Sequence, residues 1–282
     1  MGMLEPVVLE LDAEALGPAR FRVTQGPRAQ AIARRRMEAD LRRALGRDAV
    51  SLHYQKRVAL GSGQVCGAEA LLRWSDRRRG LVSPAQFIPV AERSDLIVEL
   101  GGWALRRACA EAAGWPGLRV SVNVSARQLQ GSVLLDQVAA ALEESGLMAE
   151  RLELELTESL LIEVETESLL ALSAIRDLGV GLALDDFGTG YASLAVLKRL
   201  PLTAMKLDRS LIRDLPGDRE DAAIVRAVVE TGHALGLHVV AEGIEVEAQR
   251  AFLAGIGCDE GQGYLFGHPV PPGALEWRRA AA

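Results

Sequence analysis

Residues 151–157 read RLELELT. Side chains of a strand alternate between faces with period two, so Leu152, Leu154 and Leu156 share one face while Glu155 and Thr157 point the other way. The leucine face suits packing under helices, and the acidic face needs an interior that can hold charge. Glu153 shares the inward face but lies deeper and reads as structural. The same division recurs in three more runs. Ser121, Asn123 and Ser125 oppose Val120, Val122 and Val124; Gly181, Ala183 and Asp185 share a face; so do Ala204, Lys206 and Asp208. Four strands with bulky aliphatics on one side and small or polar residues on the other describe a barrel wrapped by helices.

Working outward, six apolar runs end on a polar group: Gly-Ala-Glu69, Val-Ser-Val-Asn123, Leu-Glu-Leu-Glu155, Leu-Ala-Leu-Asp185-Asp186, Ala-Met-Lys206 and Val-Val-Ala-Glu242. Helical patterns over 84–115, 126–146, 159–178, 219–236 and 246–255 separate most of them, and a last strand is expected near 258–266. Two strand-like runs, SLHYQKRVAL and VCGAEALLRW, flank Gly-Ser-Gly and read as a hairpin. The fold predicted is a TIM-like (β/α)8 barrel over 47–282 with an antiparallel first strand. Residues 1–46 form an N-terminal extension and connecting helix, the latter carrying Ile32, Met37, Leu41 and Leu45 toward the body.

The 282 residues suit one barrel plus a short extension, since such barrels take roughly 250 residues. A formal net charge of -6 argues against a grip on long nucleic acid. Cys66, Cys109 and Cys258 lack CxxC spacing and read as reduced, mostly buried thiols. The acidic MGMLEPVVLELDAEALG start has no basic n-region, and no run reaches about 18 uncharged apolar residues, so neither a signal peptide nor a membrane span is expected. The location expected is cytoplasmic.

In a barrel of this type the C-terminal strand ends ring the active site. Four carboxylates and an Asn meeting there would repel one another unless cations sat between them. A single acid at a strand end is more often a helix cap or a solvated loop residue; the set together points to an oxygen-ligated centre for two hard cations. Such ligands favour Mg²⁺ or Mn²⁺ over zinc. Lys206 lies inward among the acids, where it can donate to a bound ligand or serve as an ion-pair strut. Arg73, about 13 Å along the strand from Glu69, can clamp an anionic group farther out or lie at the surface. Gly188 and Gly190 loosen the loop after Asp186. His53, His233, His238 and His268 have no ligand spacing and read as ordinary core or surface residues.

Glu69-Ala-Leu-Leu-Arg73, Asn123-Val-Ser125, Glu155-Leu-Thr157-Glu158, Asp185-Asp-Phe-Gly-Thr-Gly-Tyr191, Lys206, Glu242-Gly-Ile-Glu245 and Gln262-Gly-Tyr264 resemble, in order and spacing, the EAL domain family. The likeness runs from about Leu41 to Pro269. It implies a phosphodiesterase that opens cyclic di-GMP to linear pGpG. It further implies one cation on Glu69, Asn123, Glu155 and Asp185, and a second shared by Asp185 with Asp186 and Glu242. Lys206, Glu242 and Glu69 would be catalytic, and Gln55, Arg73, Asp208 and Gln262 would bind substrate. Glu158 would anchor the loop after Asp186, and Glu245 would support the site. A homodimer is implied, as is a place downstream of a sensor or GGDEF domain in a longer protein. One departure is visible: the family's Tyr-Gln-Pro is Tyr54-Gln55-Lys56 here. Two other readings stand beside the enzyme: a catalytically silent cyclic di-GMP receptor, and a barrel metallohydrolase acting on another phosphoester.

Overall fold

The computed structural model describes residues 27–158, 166–190 and 197–277. Helix α1 (Pro27–Leu45) leads into the hairpin β1 (Val50–Ala59) and β2 (Val65–Asp76), followed by a short β3 (Gly80–Val82). Then come α2 (Pro84–Ala91), α3 (Leu96–Ala113), β4 (Arg119–Val124), α4 (Val133–Ser145), β5 (Leu152–Thr157), α5 (Thr166–Asp177) and β6 (Gly181–Phe187). The chain finishes with β7 (Ala204–Leu207), α6 (Arg209–Ile212), α7 (Arg219–Ala234), β8 (His238–Ala241), α8 (Glu247–Gly255) and β9 (Glu260–Gln262). The expected helical stretch at 159–165, the residue Tyr191 and the first part of the N-terminal extension lie outside the described residues.

Eight strands close on themselves in the order β1-β2-β4-β5-β6-β7-β8-β9, and β9 returns to β1. Strand β1 runs antiparallel to both neighbours, while the pairs from β2–β4 round to β8–β9 are parallel. This is the (β/α)8 barrel with a reversed first strand. Lys56 continues β1 without interruption, paired with Ala68, so the proline of the family pattern is not needed to shape this strand.

The alternation is borne out. Leu152, Leu154, Leu156, Val120, Val122 and Val124 are buried in one aliphatic core between the barrel and its helices. A second core joins Leu41 and Ala44 of α1 to Trp74, Val82, Phe87 and Leu100. Met37 and Leu45 pack on its edge, but Ile32 is 47% exposed. Among the described residues, the second core meets α1 from Met37 onward, past Ile32. The helical pattern over 84–115 is broken between α2 and α3. The last strand is three residues long, shorter than 258–266: beyond Gln262 the backbone turns to bond Ile244, whose N–H donates to Gln262 O at 3.0 Å and whose carbonyl accepts from Leu265. A Cβ at Gly263 would lie 2.1 Å from Ile244 O, so only glycine permits that approach.

Candidate active site

Lys206, fully buried on β7, stands at the centre of the upper barrel interior. Its Nζ lies 2.6 Å from Glu242 Oε1, 2.9 Å from Glu155 Oε1, 3.1 Å from Asp185 Oδ1 and 3.9 Å from Glu69 Oε2. These ends of β2, β5, β6 and β8 meet because each inward strand position is a short step from its neighbour around the closed sheet. Asn123 Nδ2 donates to Glu69 Oε1 at 2.8 Å. Gln262 Nε2 donates to Glu69 Oε2 at 2.6 Å and to Gln55 Oε1 at 3.0 Å. Six of the residues read from sequence thus form one bonded cluster with Lys206, and Gln55 joins it through Gln262.

Asp186 needs more than strand geometry. Adjacent residues on a strand point to opposite faces, so Asp185 and Asp186 cannot both reach the mouth from a regular β6. The β6–β7 register shifts between Leu184 and Phe187, and Asp186 takes a left-handed backbone with φ 57°. Such an irregularity re-aims a side chain, and Asp is among the residues that tolerate this conformation. Carboxylate oxygens of Asp185, Asp186 and Glu242 then come within 4.8 Å of one another, close enough to hold one ion.

Burial decides the charge states. It pushes the Glu155 carboxyl well above the usual range, and the Glu69 charge adds to this. At Glu242 burial outweighs the pull of Lys206, and the pKa is pushed up to about 8. Burial, then Asp185 and Asp208, also raises Asp186. Burial opposes the charge on Glu69 too, but Lys206 and bonds from Gln262 and Asn123 outweigh it, so that pKa falls. Lys206 keeps its proton: burial works against it, and the ring of acids, Glu155 and Glu242 foremost, overrides burial. Glu155 Oε2 is buried and accepts no hydrogen bond, and Glu155 Oε1 and Asp185 Oδ1 face the one ammonium of Lys206. Buried carboxylate oxygens left so, in an all-oxygen set, fit a hard divalent cation.

A cavity of ≈ 210 Å³ opens above this ring. Gln55, Glu69, Glu242 and Gln262 line it together with Leu71, Tyr264, Arg209 and Glu245. Glu245 pairs with Arg209 at 3.0 Å on the rim, away from the acid ring. Asp208 caps α6 by accepting from Ser210 N at 2.9 Å. Arg73 is half-buried and donates to Leu72 O at 2.8 Å, apart from the cluster. Glu158 accepts from the N–H of Gly190 at 3.0 Å, which ties the loop after Asp186 to the end of β5.

Below the ring is a second charged layer that sequence reasoning missed, apart from the structural reading of Glu153. Arg57, only 2% exposed, contacts Glu153, and its Nε donates to Glu260 Oε2 at 3.0 Å. Arg119 also contacts Glu260, and His238 Nε2 lies 2.7 Å from the same carboxylate. His233 pairs with Asp259 at 2.9 Å. The signal was present as inward parity on β1, β5 and β9, but strand register is needed to pair them. The cysteines are free, with Cys109 and Cys258 buried and Cys66 partly so.

The family model of the EAL domain matches residues 38–269. Among curated proteins, the cyclic di-GMP phosphodiesterase NbdA of Pseudomonas aeruginosa is 47% identical over 245 residues, covering 85% of this chain and 31% of that protein. The bifunctional diguanylate cyclase/cyclic di-GMP phosphodiesterase MucR of the same organism is 45% identical over 237 residues, covering 82% of this chain and 35% of that protein. The chain therefore spans about a third of the length of the curated relatives it matches. A solved structure of the PaMucR phosphodiesterase in complex with c-di-GMP superposes with a TM-score of 0.79 at 44% identity, covering 84% of this chain and 98% of that one. With these likenesses laid over a reversed-strand barrel and its acid ring, the chain belongs to the EAL domain family.

Proposed function

We propose that this chain hydrolyses cyclic di-GMP to linear pGpG with the help of two divalent cations, Mg²⁺ or Mn²⁺. The observation that carries the reading is the buried ring of acids around Lys206, with more carboxylates than its single ammonium can pair, beneath an open cavity. Glu69, Asn123, Glu155 and Asp185 would hold one ion, and Asp185, Asp186 and Glu242 the other. Bound there, the pair would neutralise a phosphodiester and supply a water acidic enough to attack near neutral pH.

The chain's own residues do the rest. Lys206 carries a fixed ammonium at the floor, and its donation strengthens as negative charge builds on the oxygens around the reacting phosphorus. Gln262 and Asn123 hold Glu69 in one orientation, and Gln262 also orients Gln55 at the cavity wall. Arg73 and Asp208 lie farther out and serve the substrate's periphery. Glu245 with Arg209 forms a rim, and Glu158 holds the loop beside Asp186. In the reaction, water oxygen bonds to one phosphorus, the bond from that phosphorus to the 3′ oxygen breaks, and the 3′ oxygen takes a proton.

The same reading takes the module as a cytoplasmic homodimer that works beneath an upstream sensor or GGDEF domain. Among the described residues no helix is long and apolar enough to cross a membrane. Sedimentation of the purified chain tests the dimer. Chromatography of cyclic di-GMP incubated with the chain and Mg²⁺ tests the activity: pGpG should accumulate, and stop accumulating after chelation. Tight binding without pGpG under either metal would make the chain a receptor instead.

A further inference from the structure

Arginine is among the residues least often fully buried, yet Arg57 sits inside the barrel with 2% exposure. Its strand, β1, closes the barrel through only three register pairs with β9. From that seam the guanidinium reaches across the interior. One edge holds Glu260 on β9, with Nη2 2.9 Å and Nε 3.0 Å from Oε2. Nη1 contacts Glu153 and lies 3.9 Å from Glu155 Oε1, both on β5. Glu153 and Glu155 are two residues apart on one face, so the fork spans the step between the lower and upper layers. Glycines let the neighbouring strands close tightly around this layer. A Cβ at Gly67, the register partner of Arg57, would lie 2.9 Å from Arg119 O, and one at Gly181 would lie 3.3 Å from Glu153 Cγ.

Glu155 is the ring member held by charge and by no neutral donor: its Oε2 accepts no hydrogen bond, and its Oε1 faces the Lys206 ammonium. Glu69, by contrast, is held by Asn123 and Gln262. What faces Glu155 Oε1 is charge: Lys206 at 2.9 Å from across the ring and Arg57 at 3.9 Å from below. We propose that Arg57 is a positioning residue for the acid ring, fixing the Glu155 carboxylate from beneath and so setting how tightly the ring holds its cation. This rests on the metal-centre reading given above. A planar fork can engage Glu260 on one edge and β5 on the other, whereas an ammonium, a point charge, cannot span both.

Charge and position have opposite signs here. If Arg57 acted through its charge alone, removing it would relieve repulsion and strengthen cation binding. The test therefore keeps local charge constant. Arg57→Lys keeps the charge and loses the span. Arg57→Met with Glu153→Gln removes one charge of each sign and leaves Arg119 on Glu260; this second variant serves if the first does not fold. Arg119→Gln loosens the lower layer without touching Glu155. Mn²⁺ affinity of the substrate-free chain is read by paramagnetic resonance of free Mn²⁺, with circular dichroism to establish folding. Arg57→Lys and the double variant should each weaken Mn²⁺ binding by about tenfold, and Arg119→Gln should leave it within about twofold. Unchanged affinity in the folded Arg57 variants, or an equal loss in Arg119→Gln, would overturn the positioning role. No Mn²⁺ bound by the unaltered chain at millimolar concentration would overturn the metal-centre reading itself, and this proposal with it.

Discussion

The lower layer of the barrel interior sets Arg57 and Arg119 against Glu153 and Glu260, whereas the upper layer sets Lys206, with Arg57 reaching Glu155 from below, against Glu69, Glu155, Asp185, Asp186 and Glu242. Below, cations and anions match in number, and the contacts include direct hydrogen bonds. Above, four negative charges are left over if every acid is ionised, and burial answers by raising the pKa of Glu155, Glu242 and Asp186. A layer that balances itself belongs to the scaffold. One that does not leaves negative charge unmatched, and the two divalent cations of the proposed function would carry the charge required.

The comparison is most directly broken through stability below and turnover above. Glu260→Ala would remove the buried carboxylate that Arg57, Arg119 and His238 share, and removing one partner of a buried pair costs about 3–5 kcal/mol. Chemical denaturation should show a loss of that size. A loss under about 1 kcal/mol would mean that the lower layer is not the strut described. Lys206→Met keeps the stem and removes the ammonium above. Turnover should fall by about a hundredfold or more, equal to ~2.7 kcal/mol in the barrier. Cyclic di-GMP binding in Ca²⁺ should stay within roughly tenfold. Equal losses in binding and turnover would make Lys206 a substrate clamp.

A smaller effect on turnover is expected at Glu158, which is buried and ties Gly190 to the end of β5. Glu158→Ala should lower turnover about tenfold, or ~1.4 kcal/mol, and cost less stability than Glu260→Ala. Unchanged turnover would remove the loop from the account.

Acid–base behaviour sharpens the contrast, because the two layers should respond to pH with opposite signs. A carboxyl whose folded pKa exceeds its unfolded value binds more protons when folded, so stability falls as pH rises through that interval. Glu242, lifted from 4.5 to about 8, does this in the cation-free chain. Glu260 is the reverse: burial opposes its charge, but Arg57, His238 and Arg119 hold it well below the usual range. Its contribution is present above about pH 4.5 and is lost as the solution is acidified. The cation-free chain should therefore melt about 2–5 °C lower at pH 8 than at pH 6, and Mg²⁺ should recover the difference. Scanning calorimetry with and without Mg²⁺ checks this; a higher midpoint at pH 8 without cations would contradict the upper-layer assignment.

The sequence made the upper layer legible and left most of the lower one hidden, for a physical reason. LELELT and VSVNVS declare their faces through period-two alternation, and six polar groups ending apolar runs stand out together, so Glu69, Asn123, Glu155, Asp185, Lys206 and Glu242 could be picked out as a set. Arg57 finds Glu260 from 203 residues away, and only the closed sheet brings them together. The pair Asp185-Asp186 was visible as two acids. What lets both face the mouth, a register shift with a left-handed Asp186, has no signature in a two-residue motif. Ile32 misled because helical periodicity says which face is apolar, not whether anything lies beneath it. The brevity of β9 follows from the close approach of Gly263 to Ile244, a tertiary contact that no local pattern announces.

The central claim is that the upper layer is completed by two divalent cations. Equilibrium dialysis of the purified, metal-stripped chain against Mn²⁺ at pH 8 counts them directly. The account predicts two ions per chain, and the loss of at least one in Asp185→Asn, whose carboxylate is shared between the sites. No bound Mn²⁺ at millimolar concentration, or a count unchanged by Asp185→Asn, would contradict it.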